Sequence, residues 1–340
     1  MAIPTRFLVI SDTHGDPLRH AKLTEVVDVV IHCGDLTEES KLSEFKTSIE
    51  LLNAIDAPLK LIIAGNHDWT LDIPMFQKKL AEHDPLLEDE LVQKEYGRFG
   101  EARALFDNAA GIVFLNEGMH RFELSNDALL NVYASPYTPS VNDWGFNYPP
   151  TEEHTWDIAG NVDVAITHCP PKGVLDRVAG SGSVGSPGLF AAIARARPLL
   201  HCFGHIHTGW GAKRVGWHVE AEIGDQALTH MTAIDGDTTV AIQNLAKLKA
   251  NVKSEGDECT QSLRSKGFCA TAMPAELAGK ATLCVNAAIE GPDDASQQVP
   301  WIVETWLART SVPQKETPGS NKRKNGFTES VSGKRSCMIE

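Results

Sequence analysis

Short apolar runs recur along the chain, and each of five ends in a compact polar motif. The segments Phe7 to Ile10, Val29 to Ile31, Leu61 to Ile63, Val162 to Ile166 and Leu199 to Phe203 have strand length and little polar content, which predicts buried strands. Leu42, Phe45, Ile49 and Leu52 instead recur at helical spacing, and Pro58 stops that helix before the next strand. Their plain role is core packing. Asp16-Pro17 and Ser186-Pro187 each join a capping residue to a first-turn proline, so helices are predicted to open there. The order strand, motif, helix through residue 80 predicts parallel βαβ units, while the closely spaced strands over 112–133 predict an antiparallel stretch.

The motifs that close the five runs are Ser-Asp-Thr-His at 11–14, Gly-Asp at 34–35, Gly-Asn-His-Asp at 65–68, Thr-His at 167–168 and Gly-His-Ile-His at 204–207. Ligands of α/β sheets gather where strands end. Taken singly, the first three are also good turn sequences, and His168 alone fits a satisfied core or loop histidine. Gly-His-Ile-His is more specific, because alternate residues of an extended segment point the same way and can converge on one ion. The ordered recurrence of Asp, Asn and His after five separate apolar runs points to a single dinuclear metal site, built from oxygen and imidazole donors without a thiolate.

In this order the motifs resemble those of the calcineurin-like metallophosphoesterase superfamily, D-x-H, GD, GNH(D/E), H and GHxH. The segments from Ala134 to Pro139, Asn142 to Asn147 and Thr167 to Gly173 resemble its metallophosphoesterase-domain-containing branch. The similarity runs over about residues 6–211, with the strand through Cys284 to Ala287 and the stretch from Pro300 to Trp306 resembling closing strands. The resemblance implies an α/β fold, a four-layer α/β/β/α sandwich with two mixed sheets. It implies one metal held by Asp12, His14 and His207, another by Asn66, His168 and His205, and Asp35 bridging the two. Two carboxylates facing two divalent ions leave the centre net positive, suited to phosphate oxygens. A metal-bridging hydroxide would be the nucleophile. His67 would stand above the metals, stabilise the transition state and protonate the leaving alkoxide; Asp68 would orient it, with a turn or helix cap as the alternative.

Differences from other branches narrow the reaction. The run after Asp35 is Leu-Thr-Glu-Glu-Ser, without the arginine of the protein phosphatases, and Glu38 stands where purple acid phosphatases place an iron-binding tyrosine. What remains is a small-molecule phosphodiesterase or a phosphomonoesterase, and the resemblance to the metallophosphoesterase-domain-containing branch favours the diesterase, with cyclic nucleotides as a candidate class. The alternatives are a phosphomonoesterase of the same fold and a metal-bound nucleotide-binding scaffold with little turnover. The segment 134–150 holds Tyr137, Trp144, Phe146, Asn147 and Tyr148 among prolines and glycine. It reads as an ordered loop, with Trp144, Phe146 and Asn147 lining the substrate pocket or packing the loop onto the sandwich; Thr208 to Gly211 is a candidate opposite rim. Mixed nitrogen and oxygen donors suit Mn²⁺, Fe²⁺ or Zn²⁺.

Composition removes some partners. The chain has 340 residues, 42% of them hydrophobic, and a formal net charge of −14; such a balance disfavours long nucleic acid, which binds through many phosphate neutralisations. A small phosphate ester at a local metal centre is unaffected. There is neither a signal-peptide pattern ahead of Phe7 nor an apolar run of membrane-spanning length, so a cytoplasmic location is expected. Of seven cysteines, Cys33, Cys169 and Cys202 adjoin candidate ligands and read as small apolar packing, with oxidation sensitivity as the alternative. One catalytic domain is expected over 1–310, with a divergent insertion at about 212–280. A disordered basic tail is expected over 311–340, which carries Lys322, Arg323, Lys324, Lys334 and Arg335. The last four residues, Cys337 to Glu340, have prenylation-box spacing with an atypical final glutamate; membrane contact is expected only if Cys337 is lipidated.

Overall fold

The computed structural model describes residues 2–18, 25–82, 89–219, 227–251, 267–291 and 297–310. Its compact unit ends at Thr310. The tail with Cys337, the position of Cys259 and most of the helix expected after Asp16-Pro17 lie outside the described residues.

Two mixed sheets form the centre. The first contains β1 (Ala2–Ile10), β2 (Val29–His32), β3 (Leu59–Ile62), β4 (Ile112–Phe114), β11 (Cys269–Ala272) and β13 (Trp301–Ala308), in the order β11-β13-β1-β2-β3-β4. Its strands β1 to β4 are parallel, and β13 runs antiparallel to β1 with Val9 opposite Trp301. The second contains β5 (Gly118–Glu123), β6 (Leu129–Ser135), β7 (Val164–Thr167), β8 (Leu200–Phe203), β9 (Gly211–Trp217), β10 (Ile234–Asn244) and β12 (Ala281–Asn286), in the order β10-β9-β12-β8-β7-β6-β5. Strands β6, β7, β8 and β12 are parallel, while β5, β9 and β10 pair antiparallel.

Alternation along each central strand divides its side chains between two cores. Phe7, Val9, Val29, Ile31 and Leu61 share one cluster with Val132, Val164, Ile166, Leu200 and Val285, which fills the space between the sheets. Leu8, Ile10, Val30 and Ile62 belong to another, with Phe45 and Leu52 of α1 (Leu42–Asn53). The helix α4 (Glu101–Asp107) joins that cluster through Ala102 and Phe106, whereas α2 (Ile73–Glu82) and α3 (Asp89–Glu95) place Phe76 and Val92 in a separate cluster with Trp69. On the far side, Tyr133, Ala165, Phe203 and Cys284 pack with Leu189, Phe190 and Ile193 of α5 (Pro187–Ala196). The result is the α/β/β/α sandwich. Helix α5 begins as its sequence predicts: Ser186 accepts from the Leu189 N–H at 3.1 Å, and Pro187 occupies the first turn.

The segment 212–280, read from sequence as a divergent insertion, supplies β9, β10, α6 (Leu245–Asn251) and β11 among its described residues. Strand β9 is an interior strand of the second sheet, paired on both edges. Trp210, proposed near a substrate rim, is fully buried; it packs on Trp301 at 5.3 Å and donates from Nε1 to the Val299 carbonyl. No helix among the described residues is long and apolar enough to cross a membrane.

Candidate metal centre

The five motifs meet at the carboxyl ends of β1, β2 and β3 of one sheet and β7 and β8 of the other. Asp12, His14, Asp35 and His205 adopt left-handed backbone angles, with φ of 51°, 49°, 51° and 65°. A side chain disfavours that region, so strain is concentrated at four candidate ligands. Cross-bracing maintains it. Asp12 N–H donates to the Gly34 carbonyl, His14 N–H to the Asp35 carbonyl, and His205 N–H to both Asp12 carboxylate oxygens at 2.9 and 3.1 Å. Gly65 is required sterically: a Cβ there would fall on the Asp35 Oδ1 and backbone nitrogen.

Among the described residues three groups of donor atoms, each within 4.8 Å of one another, could hold metal: Asp12, His14 and His207; Asp35, His168 and His205; and His14, Glu38 and His67, which shares His14 with the first. Asn66 joins the second, since its Oδ1 lies 2.9 Å from His168 Nε2. His168 provides the clearest test of fit. Its Nδ1 donates to the Cys33 carbonyl at 2.9 Å, which leaves Nε2 as the acceptor of a neutral ring. That atom faces two further acceptors, Asn66 Oδ1 at 2.9 Å and Asp35 Oδ2 at 3.2 Å. Three lone pairs converge where only a proton or a cation can reconcile them. Burial works to depress His168, yet the Asp35 carboxylate and Asp12 push it up to about 9. His14 is likewise raised to about 10 against burial, by Glu38, Asp35, Asp12 and Glu290. Burial opposes ionisation of Asp12 as well, but His207 and His168 hold it at about 2. The pocket attracts positive charge, and its donors fit divalent ions.

His67 is held beside this centre. Its backbone N–H donates to Asp35 Oδ1 at 2.8 Å, and its Nδ1 donates to the Glu38 carbonyl at 2.7 Å, leaving Nε2 as the other ring nitrogen. The expected partner Asp68 does something else. Its fully buried carboxylate accepts from the N–H groups of Leu36, Thr37 and Gly65 and from Thr37 Oγ1, at 2.8–3.1 Å. Asp68 therefore clamps the Asp35 loop to the Asn66 loop, and the Glu38 carbonyl takes the orienting position on His67. Burial, with the Asp35 charge, pushes Asp68 up to about 6 against these donors.

The proposed substrate loop is also bound internally. Trp144 stacks on His67 with centroids 4.3 Å apart. Phe146 donates its N–H to Asp72 at 2.8 Å, and its side chain helps to line a cavity of about 220 Å³ with Leu71, Arg103, Glu117 and Tyr137. Asn147 donates from Nδ2 to the Asn142 carbonyl at 3.0 Å, while its buried Oδ1 has no hydrogen-bond partner.

Two carboxylates escaped the motif pattern. Glu38 Oε2 lies 2.8 Å from His14 Nδ1, and Glu290 Oε2 lies 3.1 Å from His14 Nε2. Glu38 had a visible signal in its proximity to Asp35; Glu290 follows β12 and reaches His14 only through folding. Cys33, Cys169 and Cys202 are buried free thiols, and burial raises Cys33 and Cys169. Packing is therefore their observed role.

The family model described as calcineurin-like phosphoesterase matches residues 5–209. Metallophosphoesterase domain-containing protein 1 of Homo sapiens is 33% identical over 219 residues, covering 62% of this chain and 63% of that protein. Probable rhamnogalacturonate lyase C of Emericella nidulans is 33% identical over 215 residues, 62% of this chain but 18% of that longer protein. Among solved structures, a purple acid phosphatase from yellow lupin (Lupinus luteus) seeds aligns over 90% of this chain and 54% of its own, at 8% identity and a TM-score of 0.37.

Proposed function

Because the chain belongs to the calcineurin-like phosphoesterase family of metal-dependent phosphoester hydrolases, we propose that it hydrolyses small phosphodiesters, with cyclic nucleotides as the leading substrate class. The observation that carries the diester preference is the pair Glu38 and Glu290 flanking His14. Carboxylates this close to a ligand of the centre would disfavour a dianionic monoester more than a monoanionic diester. The curated relative with metallophosphoesterase in its name supports the same class of chemistry.

In this proposal Asp12, His14 and His207 would hold one ion, Asn66, His168 and His205 would hold another, and Asp35 would serve both. Bound divalent ions, with Mn²⁺ the first to test and Fe²⁺ or Zn²⁺ next, supply Lewis acidity and activate water for attack on phosphorus. The chain's residues supply position. Asp12 is fixed by the His205 amide, Asp35 by the His67 amide, and His168 by the Cys33 carbonyl. His67, as the imidazolium, would give its Nε2 proton to the departing alkoxide and be left as the neutral ring whose Nδ1–H the Glu38 carbonyl holds.

The deciding measurement is turnover of bis-p-nitrophenyl phosphate beside p-nitrophenyl phosphate by metal-stripped protein reloaded with Mn²⁺. Diester-selective activity reduced by His67→Ala is expected, and would justify a cyclic-nucleotide screen. Monoester preference would replace the proposal with a phosphomonoesterase. Two bound metals without turnover of either compound would instead favour a nucleotide-binding scaffold.

A further inference from the structure

We propose that Trp144 is a positioning residue for His67 rather than a platform for the substrate base. The inference rests on His67 acting as proton donor. A hydrogen bond at Nδ1 fixes one edge of that ring, but the direction of Nε2 also depends on packing against the ring face. Trp144 supplies this second restraint, stacked at 4.3 Å with an interplanar angle of 26°. His14 meets the same imidazole edge-on, with centroids 4.7 Å apart. The Trp144 face used on His67 is unavailable to a nucleobase.

The backbone that delivers Trp144 is tied to the Asn66 loop. Gly145 N–H donates to the Asn66 carbonyl at 3.0 Å, and Phe146 N–H donates to Asp72. Gly145 allows that approach, since a Cβ there would stand 2.7 Å from Trp69 Cα. Lys79 extends the assembly, with Nζ 5.1 Å from the Trp144 ring centroid and 5.3 Å from that of Trp69. Asp143 pairs with Lys78 at 2.7 Å on the same loop. Movement of Trp144 relative to Asn66 and His67 is thus opposed by backbone, ion-pair and aromatic contacts. This arrangement preserves the direction of a proton donor through successive turnovers.

The test uses metal-loaded protein and three variants: Trp144→Ala, Trp144→Phe and the double variant with His67→Ala. The alanine change should lower kcat by about 10- to 100-fold through misdirection of the donor, with little change in KM. Phenylalanine, which keeps a stacking face, should restore most of the loss. The defect should be larger for an alkyl or nucleoside diester than for bis-p-nitrophenyl phosphate, whose nitrophenolate leaves readily without a proton. In the His67→Ala background, removing Trp144 should have no further effect on kcat, while metal content measured by mass spectrometry stays at the wild-type value.

A KM increase at unchanged kcat, or fully additive losses in the double variant, would overturn the positioning role even if His67 is required. Undiminished turnover in His67→Ala alone, including with the poorer leaving group, would remove the proton-donor reading and this inference together. If Trp144→Ala does not fold, Trp144→Leu keeps apolar bulk without a ring face and is held to the same kcat, KM and leaving-group criteria.

Discussion

At Asp68 a single atom change separates structural support from charge. Each carboxylate oxygen accepts two hydrogen bonds, Oδ1 from Thr37 N–H and Oγ1 and Oδ2 from Leu36 and Gly65 N–H. Asp68→Asn keeps one acceptor oxygen and places an NH₂ at the other. Thr37 Oγ1 can turn to accept from the amide, but its N–H then faces a donor. The expected cost is about 1–3 kcal/mol in urea unfolding, with weakened metal binding because Leu36 and Thr37 directly follow Asp35. Unchanged stability and metal stoichiometry would show that another partner replaces the clamp. The seven candidate ligands were legible because their residue types recur in order at strand ends. The destinations of Asp68 and Trp144 were not: adjacency to His67 made Asp68 an attractive orienter, whereas its actual contacts depend on the fold of the Asp35 loop. Trp144 was visible as an aromatic loop residue, but sequence alone left its partner open between substrate and protein.

Strands β2 and β8 carry a related feature, each placing a fully buried histidine near the end of a sheet strand. His32 Nε2 lies 2.9 Å from Thr13 Oγ1, and His201 Nε2 lies 2.9 Å from Thr167 Oγ1. The Thr167 hydroxyl already donates to the Cys169 carbonyl, so it accepts from His201 Nε2–H. His201 Nδ1 is buried without a hydrogen-bond partner, and burial pushes the ring down from 6.5 to about 3, so it is neutral near pH 7. Between these values the unfolded chain binds the proton more readily than the folded one. Stability from the neutral ring is present above 6.5 and is lost as pH falls toward 3. Its contribution to the slope is at most about 1.4 kcal/mol per pH unit. His201→Gln retains a possible donor but no titrating ring, so its unfolding free energy should decline less steeply in acid than that of the parent. Equal slopes in paired urea titrations would exclude this linkage. The apolar strands themselves were readable from their length and pattern. The segment 212–280 was less so, because β9 and β10 gain much of their identity from cross-strand pairing, including the close apposition of β9 with β12.

Across the whole sandwich, the candidate ions would fasten one sheet to the other. Asp12, His14, Asp35 and Asn66 follow strands of the first sheet, whereas His168, His205 and His207 follow strands of the second. The protein already joins these ends through the His168 to Cys33 hydrogen bond and the His205 amide to Asp12. Metal coordination at the same groups would make unfolding either sheet release binding energy as well as packing energy. Ions present at about 100 times their dissociation constant would stabilise the folded state by about 2.7 kcal/mol, if the unfolded chain does not bind them. Chelation is therefore expected to lower Tm by roughly 4 °C while leaving one cooperative transition by near- and far-ultraviolet circular dichroism. Asp35→Asn, lacking the charge expected between the ions, should show a smaller response to chelator. A parent Tm insensitive to complete metal removal would reject the fastening role, and separate transitions for secondary and tertiary structure would reject its cooperative form. Loss of the chelator response in the variant, despite folded protein before treatment, would connect the stabilisation to this centre rather than to metal adsorbed elsewhere on an anionic surface.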